Sequence, residues 1–244
     1  METSQIDQRF QPELQNPILL EGLPGFGDVG KIAAQLACET TDAKLFAEYY
    51  SPLFPDYVTV DGEGVCYPPR FMFYAASPKS RLNAIILTGD AQPSLDNVVA
   101  YYDVCEEILD YVQKMGCKLI VTVGGLPISG EKRKAYVAAT SEELVLKVMD
   151  KGGIIYGGGR IMGATGLLLG LGKKRGLDGV CLLGSTDGLG PDREAGTTVF
   201  KLLMEVFGEN APTDVPPNGK KVNTRKRNGP LSMGHYGHEV HRRQ

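Results

Sequence analysis

Pro17-Ile18-Leu19-Leu20-Glu21-Gly22-Leu23-Pro24-Gly25-Phe26-Gly27-Asp28-Val29-Gly30, followed by Lys31-Ile32-Ala33-Ala34-Gln35-Leu36-Ala37, reads as strand, glycine-rich turn and helix. The turn needs glycine for two reasons: a tight reversal requires positive φ, and a helix closing onto its own strand leaves no room for a Cβ. Gly25, Gly27 and Gly30 also satisfy G-x-G-x-x-G, and Glu48 stands 18 residues past Gly30, about where a ribose-binding acid belongs. Two features oppose a dinucleotide site. An extra Gly22-Leu23-Pro24 precedes the pattern, and Asp28 sets a negative charge at the helix N-terminus, where a pyrophosphate would seek the positive end of the dipole. A close-packing turn with no cofactor is therefore the reading adopted.

Downstream, residues 44–74 read as short strands punctuated by proline: Tyr57-Val58-Thr59-Val60, the turn Asp61-Gly62-Glu63-Gly64, Val65-Cys66-Tyr67, then Phe71-Met72-Phe73-Tyr74. Together they predict a β-hairpin insertion. Leu82 to Asp90 is a continuous apolar strand of the kind buried inside a parallel sheet. Leu95, Val98, Val99, Tyr102, Cys105, Ile108, Leu109, Val112 and Met115 then recur at helical spacing until Gly116. Lys118–Val123 predicts a strand ending at Gly124-Gly125, and Ala135–Ala139 another. Thr140-Ser141-Glu142-Glu143 predicts a capping box for a helix over 142–149. A helix from Gly163 to Lys173, a strand from Gly179 to Gly184 and a helix from Glu194 to Phe207 complete the alternation. The expected architecture is α/β: three-layer α/β/α with a mostly parallel sheet. Residues 1–16 read as an N-terminal arm, 17–208 as a single α/β domain and 209–244 as a flexible, disordered basic tail.

Composition narrows the function. Residues 219–244 hold seven Lys or Arg and one Glu, which leaves 19 basic against 28 acidic residues in 1–218. An acidic body disfavours nucleic acid, because phosphate binding needs a cationic face. Residues 1–17 lack the basic start and apolar run of a signal peptide, and no stretch approaches 18 apolar residues; the expectation is a cytoplasmic protein without a membrane span. Cys38, Cys66, Cys105, Cys117 and Cys181 are widely spaced and read as free thiols, with no metal site. His235, His238 and His241 all fall in the tail, beside Gly234 and Gly237, which argue against a helix that could present them to a metal.

Asp90, after Gly89, and Asp187, within Ser185-Thr186-Asp187-Gly188, each stand past the carboxyl end of a predicted strand, where doubly wound sheets place ligands. With Gly25, Gly27, Gly30 and Gly124 they form a candidate ligand crevice. Either aspartate serves equally well as a helix cap or an Asx turn. No histidine lies in the body and no cysteine is paired to a base, so nucleophilic catalysis lacks its usual partners.

Pro17 to Gly30, Leu53-Phe54-Pro55-Asp56, Pro68-Pro69, Leu87-Thr88-Gly89-Asp90-Ala91-Gln92-Pro93, Val123-Gly124-Gly125 and Leu183-Gly184-Ser185-Thr186-Asp187-Gly188 resemble, in order and spacing, the proteasome-assembly-chaperone-2 family, its archaeal members in particular. The resemblance runs from about Pro17 to Phe207. It implies a phosphorylase- or hydrolase-like fold, self-association into a homo-oligomer, and binding to the proteasome core particle or its α subunits. The enzymatic alternative is an ATP- or nucleotide-dependent ligase-like or nucleoside-phosphorylase-like protein using the strand-end crevice. Members of that family that dock on the proteasome often end in a hydrophobic residue, a tyrosine and one final residue, a pattern from which this chain departs, its last tyrosine being Tyr236. Here the last residues are Arg242-Arg243-Gln244, and the candidate partner-binding residues of the tail are Arg225, Lys226, Arg227, Tyr236, Arg242 and Arg243.

Overall fold

The computed structural model describes residues 1–94, 96–128, 130 and 132–208. The expected disorder of 209–244 and the tail residues Arg225, Lys226, Arg227, Tyr236, Arg242 and Arg243 lie outside the described residues, as does Leu95. In chain order the elements are β1 (Gln5–Gln8), β2 (Ile18–Glu21), α1 (Val29–Thr40), β3 (Lys44–Tyr50), β4 (Thr59–Val60), β5 (Cys66–Tyr67), β6 (Phe71–Ala75) and β7 (Ala84–Gly89). There follow α2 (Val98–Lys114), β8 (Leu119–Pro127), β9 (Ala135–Ala139), α3 (Glu142–Met149), β10 (Ile154–Ile155), α4 (Gly163–Lys174), β11 (Asp178–Thr186) and α5 (Arg193–Phe207).

Nine strands form one sheet in the order β1-β3-β6-β7-β2-β8-β11-β9-β10. Its centre, β7-β2-β8-β11, is parallel, and these strands are nearly continuous apolar runs buried on both faces. Side chains alternate across it. Leu19, Ile85 and Ile120 pack beneath α2 and α4, while Leu20, Ile86 and Val121 pack with residues of α1, α3 and α5. Each face thus has its own apolar core.

The expectation of a mostly parallel sheet is corrected. Four neighbouring pairs are parallel (β7–β2, β2–β8, β8–β11, β9–β10) and four antiparallel (β1–β3, β3–β6, β6–β7, β11–β9), so the sheet is mixed. For β3–β6 and β6–β7 the reason is connectivity. Parallel neighbours need a crossover, usually a helix, and no helix lies between β3 and β7. The hairpin insertion is corrected in part: β4 and β5 do make a small two-stranded sheet, Thr59 opposite Tyr67, but β3 and β6 belong to the main sheet. The polar arm adds β1 to the edge, with Gln5 opposite Tyr50.

Helix ends follow side-chain chemistry. Asn97, Ser141 and Asp192 accept hydrogen bonds from the amides of Ala100, Leu144 and Ala195 at the starts of α2, α3 and α5. With Ser141 as the cap, the third residue is Leu144, so the reciprocal half of the expected capping box is not made. No helix among the described residues is long and apolar enough to cross a membrane.

Candidate functional site

The four central parallel strands end on one side of the sheet, and the sequence-predicted crevice residues lie along that rim. The glycine-rich turn fills it with the protein's own atoms. Gly27 adopts φ 61°, and a Cβ there would come within 2.7 Å of Thr186 Oγ1. Its carbonyl accepts the Asp192 amide at 2.8 Å, which ties the turn to the start of α5. Gly30 presses on β8, where a Cβ would overlap the Val123 carbonyl. Gly25 has extended backbone (φ −176°) and faces Gln92. Gln92 Nε2 donates to the Pro24 carbonyl at 2.5 Å and its Oε1 accepts the Ala164 amide at 3.1 Å, joining the turn to the first turn of α4. Gly124 packs against Thr165 of α4. Phe26 lies across the ends of β8 and β11: its backbone meets Gly125 and its ring covers Gly188. Asp28, at the start of α1, is left-handed (φ 48°), a conformation aspartate tolerates, and makes no side-chain cap.

The two aspartates do not converge. Asp90 follows β7 and Asp187 follows β11, with β2 and β8 between them, a separation of roughly 14 Å at about 4.8 Å per strand. Asp90 turns toward β6: its Oδ2 lies 3.8 Å from Arg70 Nε and its amide bonds the Arg70 carbonyl. Burial pushes its pKa up against the opposing pull of the Arg70 and Lys31 charges. Asp187 closes an Asx turn by accepting the Leu189 amide at 3.2 Å and pairs with Arg133 at 3.1 Å. These two contacts, the amide foremost, lower its pKa. Arg133 also meets Asp192 at 2.9 Å and so straps the β11–α5 loop.

Glu48 does not stand where the dinucleotide pattern would need its acid. It lies on β3, antiparallel and separated from β2 by β6 and β7, so it cannot reach a ligand held at the glycine turn. Its carboxylate is instead taken by Arg70 at 2.6 Å and Arg9 at 2.5 Å. A fingerprint reading assumes that the strand after α1 is the parallel neighbour of β2; here it is not.

Sequence reasoning missed the apolar side chains at this rim. Phe26 is 51% exposed, Leu189 93%, and Met162, at the start of α4, 79%. Val98 and Val99, read as part of the buried stripe of α2, stand 64% and 66% exposed on its first turn, and Ile128 beyond β8 is exposed too. Clustered exposed apolar groups on a folded surface mark sites of protein contact. Phe26 and Leu189 each carried a signal, an apolar residue held between two glycines: Gly25-Phe26-Gly27 and Gly188-Leu189-Gly190.

Beneath the rim sits Glu21, the last residue of β2 and wholly buried. Its Oε1 accepts the Leu23 amide at 3.1 Å and the Thr165 hydroxyl at 3.3 Å, while Oε2 has no hydrogen-bond partner. Desolvation raises its pKa to about 7, against the opposing effects of the Leu23 amide, Thr165 and the Val123 amide. Among the described residues no group of His, Cys, Asp and Glu is arranged to hold a metal.

Comparisons with known proteins are consistent with one another. The model of the PAC2 family matches residues 19–220. The solved structure of Pyrococcus furiosus PbaB, an archaeal proteasome activator, superposes with a TM-score of 0.80 at 35% identity over 85% of this chain and 90% of that one. P. furiosus PbaA, an archaeal homolog of proteasome-assembly chaperone, gives 0.71 at 29% identity, covering 85% and 83% of the two chains. The Methanocaldococcus jannaschii protein MJ1210 is 32% identical over 197 residues, 79% of this chain and 74% of its own length.

Proposed function

Because this chain belongs to the PAC2 family, we propose that it is a proteasome-assembly-chaperone-like binding protein of the cytoplasm that self-associates and presents its strand-end rim to proteasome core subunits. The observation that carries the reading is the state of that rim. Phe26, Gln92 and Arg133 make contacts among the strand-end loops, where a doubly wound sheet would hold a small ligand, and apolar side chains of these loops are exposed to solvent. Cross-tied loops with exposed apolar side chains suit docking onto another protein surface better than turnover of a nucleotide. The similarity to PbaB and PbaA supplies the partner class. The basic segment beyond residue 208 supplies electrostatic attraction toward an acidic partner surface. The family's phosphorylase-like layering is the finer fold reading we attach to the mixed sheet.

Native mass spectrometry of the full chain mixed with proteasome core particles or their α subunits tests the proposal. The expected spectrum contains a homo-oligomer and its complex with core subunits. A thermal-shift series with ATP, NAD and nucleosides tests it from the other side, since a ligand at a hundred times its Kd adds about 2.7 kcal/mol. A clear rise in Tm with one nucleotide, and no complex with core subunits, would overturn it.

A further inference from the structure

We propose that Glu21 is a proton-operated latch beneath the docking rim: neutral, it ties the glycine-rich turn to α4, and on losing its proton it loosens both, so that presentation of Phe26 and Met162 depends on pH. The proposal deepens the docking reading above and rests on it for the role of the rim.

The geometry is specific. One oxygen of Glu21 holds two segments at once, the turn through the Leu23 amide and α4 through the Thr165 hydroxyl. Three residues on from Leu23 is Phe26; three before Thr165 is Met162. The other oxygen is buried without a partner, while the Thr122 hydroxyl lies beside the Cys181 thiol. Thr122 is the register partner of Glu21 on β8, and both project toward the α2–α4 side of the sheet. A proton on Oε2 gives that oxygen a donor and Thr122 an acceptor role across the ladder, directly or through one internal water. Without the proton, a wholly buried carboxylate keeps one oxygen unpaired with no cation among the groups acting on it.

The surroundings leave Glu21 as the titrating group. The thiols that feel it are Cys105 from α2 and Cys181 from β11, both pushed far above neutrality by burial, Cys181 to about 12. β7 presents Leu87 at its level, β8 presents Thr122 and α4 presents Thr165. No Lys or Arg is among the groups acting on it. Burial thus wins over the amide and hydroxyl donors and places the transition near neutral pH. Local opening that admits water lets the carboxyl ionise at its ordinary pKa, so the open population rises about tenfold per pH unit between about 4.5 and 7 and is level above.

Hydrogen exchange at Leu23, Ala164 and Thr165, followed from pH 5 to 8 in the full chain and in Glu21→Gln, reads the latch. After correction for intrinsic base catalysis, the wild-type amides should open about tenfold more per unit from pH 5 to 7 and level off above, and Glu21→Gln should be flat. In parallel, an infrared titration of the unaltered protein should show a carboxylic C=O band that disappears near pH 7 and is missing in Glu21→Gln. This second readout needs only the wild type if the variant fails to fold. Exchange that is pH-independent in the wild type, or a band already gone at pH 6, overturns the latch. If exchange follows pH as stated while capture of core particles does not, the latch stands and the docking role of the rim is what fails.

Discussion

Gly125 has no space for a methyl group, because a Cβ there would overlap the Phe26 carbonyl. Gly125→Ala should therefore cost about 1–3 kcal/mol, read as a lower denaturant midpoint, and should displace Phe26. Gly157 is a matched control. A Cβ there meets nothing within 4 Å, so Gly157→Ala should be neutral or stabilising by up to about 1 kcal/mol through the unfolded chain. Asp192 is a third test: it caps α5, accepts from Thr186 and pairs with Arg133, so Asp192→Ala should cost about 2 kcal/mol or more. At this scale the sequence was half legible. It located Gly25, Gly27, Gly30, Gly124, Asp90 and Asp187 near strand ends, since turn chemistry is local. It did not reveal that Asp90 turns to Arg70 and Asp187 to Arg133, because ion-pair partners on other elements leave no mark in the local pattern. Glu21 was likewise hidden, as nothing in Leu19-Leu20-Glu21-Gly22 says that a carboxyl ends a fully covered strand.

α2 shows how an element can be recognised and its buried face still misjudged. Periodicity counts apolar residues, whereas burial depends on what lies opposite, and the first turn of α2 runs past its cover. Val98→Ser and Val99→Ser should each change stability by no more than about 0.5 kcal/mol. Ile108→Ala, at a fully buried position, should cost about 2–5 kcal/mol in the same denaturation assay. Reversal of that order would mean the face has been assigned wrongly. β9 and α3 begin and end where the residues predict, since alternation, caps and glycines are written locally. β3 and β6 were legible as strands but not as members of the main sheet. Strand pairing is a long-range choice, settled here by the lack of a helix between β3 and β7 and by matching of the apolar side chains Phe46, Phe71 and Phe73 beneath α2.

Across the whole molecule, charge and apolar surface divide the labour. The segment 219–244 carries a net six positive charges, from seven basic residues and one acidic. Its attraction to an acidic partner should weaken as salt shortens the Debye length from about 10 Å at 0.1 M to about 3 Å at 1 M. Capture of core particles by the full chain should then fall with salt, and capture by a chain lacking residues 209–244 should be weaker but nearly salt-independent. Proton linkage adds a second global signature. The Glu21 pKa is raised from about 4.5 to about 7 on folding, so the unfolded chain releases this proton first as pH rises. Its contribution to stability therefore declines between those two values, is level above, and is absent from Glu21→Gln. The most direct test of the central claim is the affinity of the full chain for proteasome core particles, compared with that of the double variant Phe26→Ser, Leu189→Asp at matched thermal stability. The rim account predicts at least a tenfold loss of affinity; an unchanged Kd in a folded variant would contradict it.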